Sequence, residues 1–236
     1  MALTGAGIST PSGIPDFRSP ESGLWESADA FEVASISGFL NSPTAFCEWI
    51  RPLARLVLEA EPNPAHNALA ELENLGRLKA VITQNIDGLH QQAGSREVLE
   101  LHGHVRELVC LSCGRAAATA DVFNAFVESG EPPRCADCRA VMKPTAVLFG
   151  EELPSDVMAG AREHVQQADV MLVAGSSLSV TPASELPRMV RSQGGRLVIV
   201  NLGPTYADRV ADCVLHEDVA EALPRIVQAV AEGMGT

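Results

Sequence analysis

Three short apolar runs set the fold of this chain more firmly than any other feature. Lys79-Ala-Val-Ile-Thr83, Val170-Met-Leu-Val-Ala174 and Arg196-Leu-Val-Ile-Val-Asn201 are strand-sized, rich in β-branched residues and apolar without alternation. A strand of that kind is buried on both faces, which is the habit of parallel sheets covered by helices on either side. Helical patterns fill the intervals. Asn63-Pro64 makes an N-cap and first-turn pair, followed by Ala65, Leu69, Leu72 and Leu75 at helical spacing before Gly76. Thr181-Pro182 is expected to open a second helix, with Leu186, Met189 and Val190 on one side and Gly194-Gly195 at its end. Asp218 with Glu221 predicts a capping pair for the last helix. The alternation implies an α/β fold, a doubly wound parallel (Rossmann-like) sheet.

Two segments break the rhythm. Residues 20–62 hold one helical stretch that starts near Ser42-Pro43, carries Phe46, Ile50, Leu53 and Val57 on one face, and is expected to kink at Pro52. Residues 108–142 contain four of the six cysteines, no strong strand pair, and a helix expected over 121–129. The Rossmann-like lobe is therefore placed at about 1–20, 63–107 and 143–236, with a smaller lobe built from the helical 21–62 and the cysteine-bearing 108–142. The first strand, Ala2-Leu3-Thr4, has about three residues before a glycine turn, against five or six for an average strand. Either it is short or the native start lies upstream of Met1.

Composition excludes several functions. With 17 Lys+Arg against 30 Asp+Glu, the formal charge of −13 argues against a general nucleic-acid binder. No apolar run has membrane-spanning length, and no basic segment precedes an apolar one at the N-terminus, so a cytoplasmic protein without membrane contact is expected. In that compartment the even cysteine count is not read as a disulfide framework.

The cysteines have a better reading. Cys110-x-x-Cys113 and Cys135-x-x-Cys138, 21 residues apart, are two knuckles that can close a tetrahedral four-cysteine site of the zinc-ribbon kind. A redox pair would need only one of them, so one structural zinc is expected. Cys47 and Cys213 sit in apolar runs and are expected to be core thiols.

Polar or glycine turns recur where strands end, the place where ligands of open α/β sheets bind. Gly5-Ala6-Gly7-Ile-Ser9 follows the first strand, but Thr10 stands where a dinucleotide fingerprint would have its last glycine. Taken alone, it is equally a plain strand-to-helix turn. Gly175-Ser176-Ser177 and Asn201-Leu202-Gly203 end two later strands. Thr83-Gln84-Asn85-Ile86-Asp87-Gly88-Leu89-His90 puts two amides and a carboxylate at the same edge, or else forms an Asx turn. His102, in Leu101-His102-Gly103-His104, is a candidate general base because an imidazole titrates near ~6.5; a structural role is the alternative.

Together these segments resemble the sirtuin family, the NAD-dependent protein-lysine deacylases. The matching blocks are residues 5–18 (from Gly5 to Arg18), 83–90, Leu101-His102-Gly103, the four cysteines, Lys143-Pro144 with Val147-Leu-Phe-Gly-Glu151, Gly175-Ser-Ser-Leu178 and Asn201-Leu-Gly-Pro-Thr205, in family order. The resemblance implies that NAD is bound by Gly5, Ala6, Gly7, Thr10, Phe17 and Arg18 around the pyrophosphate and nicotinamide ribose. Gln84, Asn85, Ile86 and Asp87 would form the nicotinamide pocket. Gly175, Ser176, Ser177, Asn201, Leu202, Gly203 and Val219 would surround the adenosine half. His102, with Asn85, would carry the catalysis, His102 as general base on the ribose. Val147, Phe149 and Gly150 would form an edge to which an acyl-lysine peptide adds as a strand. The products implied are free lysine, nicotinamide and 2′-O-acyl-ADP-ribose, made by a monomer whose zinc takes no part. Relatives specialised for acidic acyl groups carry a Tyr and an Arg three residues apart in the helical insertion, whereas the only Tyr here is Tyr206; acetyl or longer apolar acyl groups are expected. A mono-ADP-ribosyltransferase using the same site is the enzymatic alternative, and a non-catalytic NAD-sensing module the alternative of another class.

Overall fold

The computed structural model describes residues 1–16, 30–118 and 120–233. Its strands are β1 (Ala2–Thr4), β2 (Val81–Thr83), β3 (Val98–Glu100), β4 (Glu107–Val109), β5 (Ala116–Ala118), β6 (Lys143–Pro144), β7 (Val170–Ala174), β8 (Arg196–Val200) and β9 (Cys213–Leu215). Its helices are α1 (Ala30–Val33), α2 (Ile36–Asn41), α3 (Pro43–Glu59), α4 (Pro64–Asn74), α5 (Leu89–Gln92), α6 (Ala120–Ser129), α7 (Ser155–Gln166), α8 (Leu186–Ser192) and α9 (Val219–Gly233).

Six strands form one parallel sheet in the order β3-β2-β1-β7-β8-β9. The three apolar runs are its β2, β7 and β8. Along each, successive residues divide between two cores, as the two-residue period of a strand requires. Ala2, Val81, Leu172 and Val200 face α4 and α9, packing on Leu69, Leu72, Leu223 and Val227. Leu3, Ile82, Met171, Val173, Leu197 and Ile199 face α7 and α8, packing on Ala161, Val165, Leu186 and Val190. The short β1 is fully buried between β2 and β7. Met1 extends its ladder, because the Met1 carbonyl accepts from Leu172 N–H at 3.0 Å.

Asn63 caps α4 by accepting from Ala65 N–H at 2.9 Å, and His66 closes the capping box from the third helical position. Asp218 caps α9 through Ala220 N–H at 2.7 Å, whereas Glu221 contributes its backbone N–H to the Asp218 carbonyl. Thr181-Pro182 does not open α8 as expected. A short 3-10 turn over Ala183–Glu185 intervenes, and Pro187 takes the N-terminal proline position of the helix.

Helices α2 and α3 pack on α6 through Phe39, Phe46, Cys47, Ala54, Phe123, Phe126 and Val127, a third core that excludes the main sheet. Helix α3 runs on through Pro52, with Phe46 and Val57 buried. The cysteine segment does contain paired strands: β4 pairs antiparallel with both β5 and β6. Their residues conceal them, because β5 is all alanine and β6 carries a proline, both poor strand signals. Cys47 is buried, and burial with nearby Glu48 pushes its thiol up to about 11. Cys213 is exposed, not a core thiol, because β9 is the edge strand. Among the described residues no helix is long and apolar enough to cross a membrane.

Candidate active site

The chain leaves β1 towards β2 on one side of the sheet and returns through β7 on the other, so the carboxyl ends of β1 and β7 flank the switch point of the sheet. That is where a doubly wound fold opens a crevice. The turns after β1 and β7 touch there. Gly7 N–H donates to the Gly175 carbonyl at 2.9 Å. A Cβ on Gly7 would sit 2.9 Å from that oxygen, and one on Gly175, whose φ is +60°, would sit 2.2 Å from Ile8 N. The glycines are thus required by the close approach of two backbone turns, a reason the comparison with a dinucleotide fingerprint does not supply. Thr10 Oγ1 donates to the Gly7 carbonyl at 3.0 Å and steadies the first turn.

The turn after β2 brings its polar residues against this crevice. Gln84 Nε2 donates to Ser176 Oγ at 3.0 Å, tying that turn to the one after β7. The Gln84 carbonyl accepts from His102 Nδ1 at 2.8 Å. A carbonyl can only accept, so Nδ1 carries the proton and Nε2 is left as the free lone pair. Burial holds His102 below the ordinary histidine range, so the ring is neutral at physiological pH.

Ser9 is the hub of a second set. Its hydroxyl donates to Asp87 Oδ2 at 2.7 Å and accepts from Asn85 Nδ2 at 2.9 Å. Asp87 Oδ1 accepts Leu89 N–H at 3.0 Å. Burial raises the Asp87 carboxyl above its usual value, against the lowering effect of these bonds. Asn63 N–H points at His66 Nδ1 at 3.3 Å, so the His66 proton sits on Nε2, which faces Ser9 Oγ at 3.5 Å. His90 Nε2 lies 2.9 Å from Thr4 Oγ1, Thr4 donates to Thr83 Oγ1, and Thr83 Oγ1 accepts Asn85 N–H at 3.1 Å. The two imidazoles meet edge to face at 4.9 Å. Burial lowers His66 to about 4, and burial with His66 alongside lowers His90 to about 3. Ile86, half-buried, accepts Val105 N–H on its carbonyl at 3.3 Å.

At the far end of the crevice Asn201 Nδ2 donates to the Gly203 carbonyl at 2.7 Å, and Leu202 is 68% exposed. Ser177 is exposed beside Ser179, with their hydroxyls 3.0 Å apart. Val219 is buried in the sheet–helix core as the first residue of α9. Phe17 and Arg18 lie outside the described residues. Of the expected peptide edge, Val147 N–H is taken by the His102 carbonyl at 2.8 Å. Phe149 has both backbone groups engaged, its N–H to Ala34 O at 3.1 Å and its carbonyl from Ile36 N–H at 2.9 Å. Its side chain, 42% exposed, meets the Phe31 ring at 5.2 Å with the two planes tilted by 54°. Among the described residues, no hydrogen bond takes the Val147 carbonyl or the Gly150 backbone.

The sulfurs of Cys110, Cys113, Cys135 and Cys138 all lie within 4.8 Å of one another. Three of the separations are 3.4, 3.5 and 3.7 Å. Tetrahedral zinc with Zn–S bonds of ~2.3 Å needs sulfurs roughly 3.8 Å apart, so the four thiolates fit one ion. All four positions would be protein ligands, leaving none for a substrate.

The sequence pattern of the Sir2 family matches residues 5–182. An NAD-dependent protein deacylase 2 from Archaeoglobus fulgidus is 49% identical over 98% of this chain and 90% of its own length. The chain belongs to the Sir2 family. A second Sir2 relative, an NAD-dependent protein deacetylase from Sulfurisphaera tokodaii, is 46% identical over 98% of this chain and 90% of its own length. A Sir2 solved with a p53 peptide and NAD+ has a TM-score of 0.85 at 44% identity, covering 99% of this chain and 92% of that one. In this Sir2-family chain, sequence reasoning missed Ser9 and His66 as parts of the site. Ser9 lay inside a motif read for Gly5, Ala6, Gly7 and Thr10 but not for its serine. His66 sits 57 residues away along the chain and reaches Ser9 only because α4 packs beside the first turn.

Proposed function

We propose that this Sir2-family protein is an NAD-dependent protein-lysine deacylase. The observation that carries the reading is the tautomer of His102: its Nδ1–H is fixed on the Gln84 carbonyl, so a neutral Nε2 stands ready as a base at the end of the nucleotide crevice. NAD would supply the electrophilic ribose that receives the acyl group as nicotinamide leaves. The glycine turns at 5–7 and 175–177, with Thr10, would hold its phosphates, and Asn201, Leu202 and Gly203 its adenosine half. Asn85 and Asp87, oriented through Ser9, would hold the nicotinamide carboxamide. His102 Nε2 would take the ribose hydroxyl proton. The Val147 carbonyl and the Gly150 backbone would bind the substrate main chain, so recognition of the peptide is largely independent of its side chains.

The whole chain acts as one catalytic domain divided at about the boundaries expected from sequence. It works as a cytoplasmic monomer on acetyl or longer apolar acyl-lysines, with one structural zinc. His102→Ala should bind NAD within a few-fold of the parent and lose about 100-fold or more in deacylation, the range of a positioned general base. Near-normal turnover by that variant would overturn the assignment of the base.

A further inference from the structure

Lys143 is one of two lysines in the chain, and its side chain is only 4% exposed. Its ammonium has three donors and three partners: the Pro144 and Ala146 carbonyls, each at 3.0 Å, and Glu151 Oε2 at 3.1 Å. The same Glu151 oxygen accepts Leu148 N–H at 2.7 Å, and Glu151 N–H returns to the Leu148 carbonyl at 3.0 Å. The pair therefore grips the backbone of the 144–148 loop from its inner side. With Val147 N–H on His102 and the Phe149 backbone on Ala34 and Ile36, the Val147 carbonyl and the Gly150 backbone are the groups of this edge left without a hydrogen bond among the described residues.

We propose that Lys143 and Glu151 are positioning residues for substrate: their ion pair, with Lys143 buried and Glu151 half-buried, sets the edge on which the peptide main chain is read, and so governs affinity for peptide but not for NAD. The inference rests on the reading of Val147 and Gly150 as that edge. Stability alone does not account for the pair, since an apolar replacement of a buried ion pair is often neutral or stabilising. What an apolar pair cannot do is hold two carbonyls and an amide at fixed points. The grip also reaches the metal lobe, because Lys143 pairs with Val109 in the small sheet, next to Cys110.

The test uses the full-length, zinc-loaded enzyme. Glu151→Gln keeps an acceptor for Leu148 and removes the charge, and Lys143→Met with Glu151→Met replaces the pair by apolar side chains. The double variant should stay folded with its zinc, melting somewhat lower because the Pro144 and Ala146 carbonyls and Leu148 N–H lose their partners. It should hold the KM for NAD within about twofold, and raise the KM for acyl-peptide about tenfold or more, with Glu151→Gln between. A merely structural role would lower the amount of active enzyme and leave both KM values alone. Unchanged peptide KM, or equal rises for peptide and NAD, would overturn the proposal. Peptides N-methylated on the amides flanking the acyl-lysine separate the two readings on the unmodified enzyme. If N-methylation leaves affinity intact, the edge reading fails and the positioning role with it. If N-methylation weakens binding but the double variant does not, only the positioning role fails.

Discussion

Acid should unfold this protein through two histidines beneath the active site, before its carboxylates matter. His66 and His90 are fully buried, and each neutral ring has its tautomer set by a fixed neighbour, Asn63 N–H for one and Thr4 for the other. Folding lowers His66 from 6.5 to about 4 and His90 from 6.5 to about 3. Both bind protons more readily in the unfolded chain, so stability is intact above the unfolded pKa and falls as pH drops through the window towards the folded ones. Near about pH 5.5 the unfolded state carries close to two more protons than the folded one, a slope of roughly 2–3 kcal/mol lost per pH unit. His66 alone would remove about 3 kcal/mol across its full window. His102, also lowered, adds to the slope, whereas Asp87, raised by burial, opposes it at lower pH. The assay is urea unfolding followed by circular dichroism at intervals from about pH 7.5 to 4.5. His66→Gln offers Oε1 to Asn63 and Nε2–H to Ser9 but cannot titrate. Its slope should be shallower by about 1 kcal/mol per pH unit. A variant that folds normally and keeps the full parental slope would refute the argument.

Two further outcomes follow from the geometry. Gly175→Ala places a Cβ 2.2 Å from Ile8 N at a φ of +60°, and should cost at least about 2 kcal/mol in a urea titration and weaken NAD binding measured by calorimetry. Cys135→Ser, at a fully buried ligand, should abolish zinc recovered by colorimetric release and loosen the small lobe. Structural zinc is worth about 10–16 kcal/mol in isolated fingers, so a zinc-free variant of parental stability would contradict the site.

Much of this architecture was legible because its causes are local. β7 coincides with the Val170–Ala174 run, and the cap at Asn63 is a matter of two adjacent residues. The cysteine pairs converge because each tight turn sets its own two sulfurs. What sequence could not reveal is contact between distant turns. The glycines at 5–7 looked like a phosphate loop, but half their reason is Gly175 pressing on them from β7. Thr181-Pro182 carried a helix-start signal that a 3-10 turn overrode. Phe149 matched an edge motif, yet its backbone is spent on the segment between α1 and α2. Ser9 and His66 became part of the site only through the packing of α4.

The fate of the acyl group decides what this protein does, and one product analysis follows it. The protein would be mixed with NAD and an acetyl-lysine peptide and the products identified by mass spectrometry. A deacylase should yield deacetylated peptide, nicotinamide and O-acetyl-ADP-ribose in equal amounts. ADP-ribose attached to protein would establish the transferase instead, and NAD bound without release of nicotinamide would contradict an enzymatic role altogether.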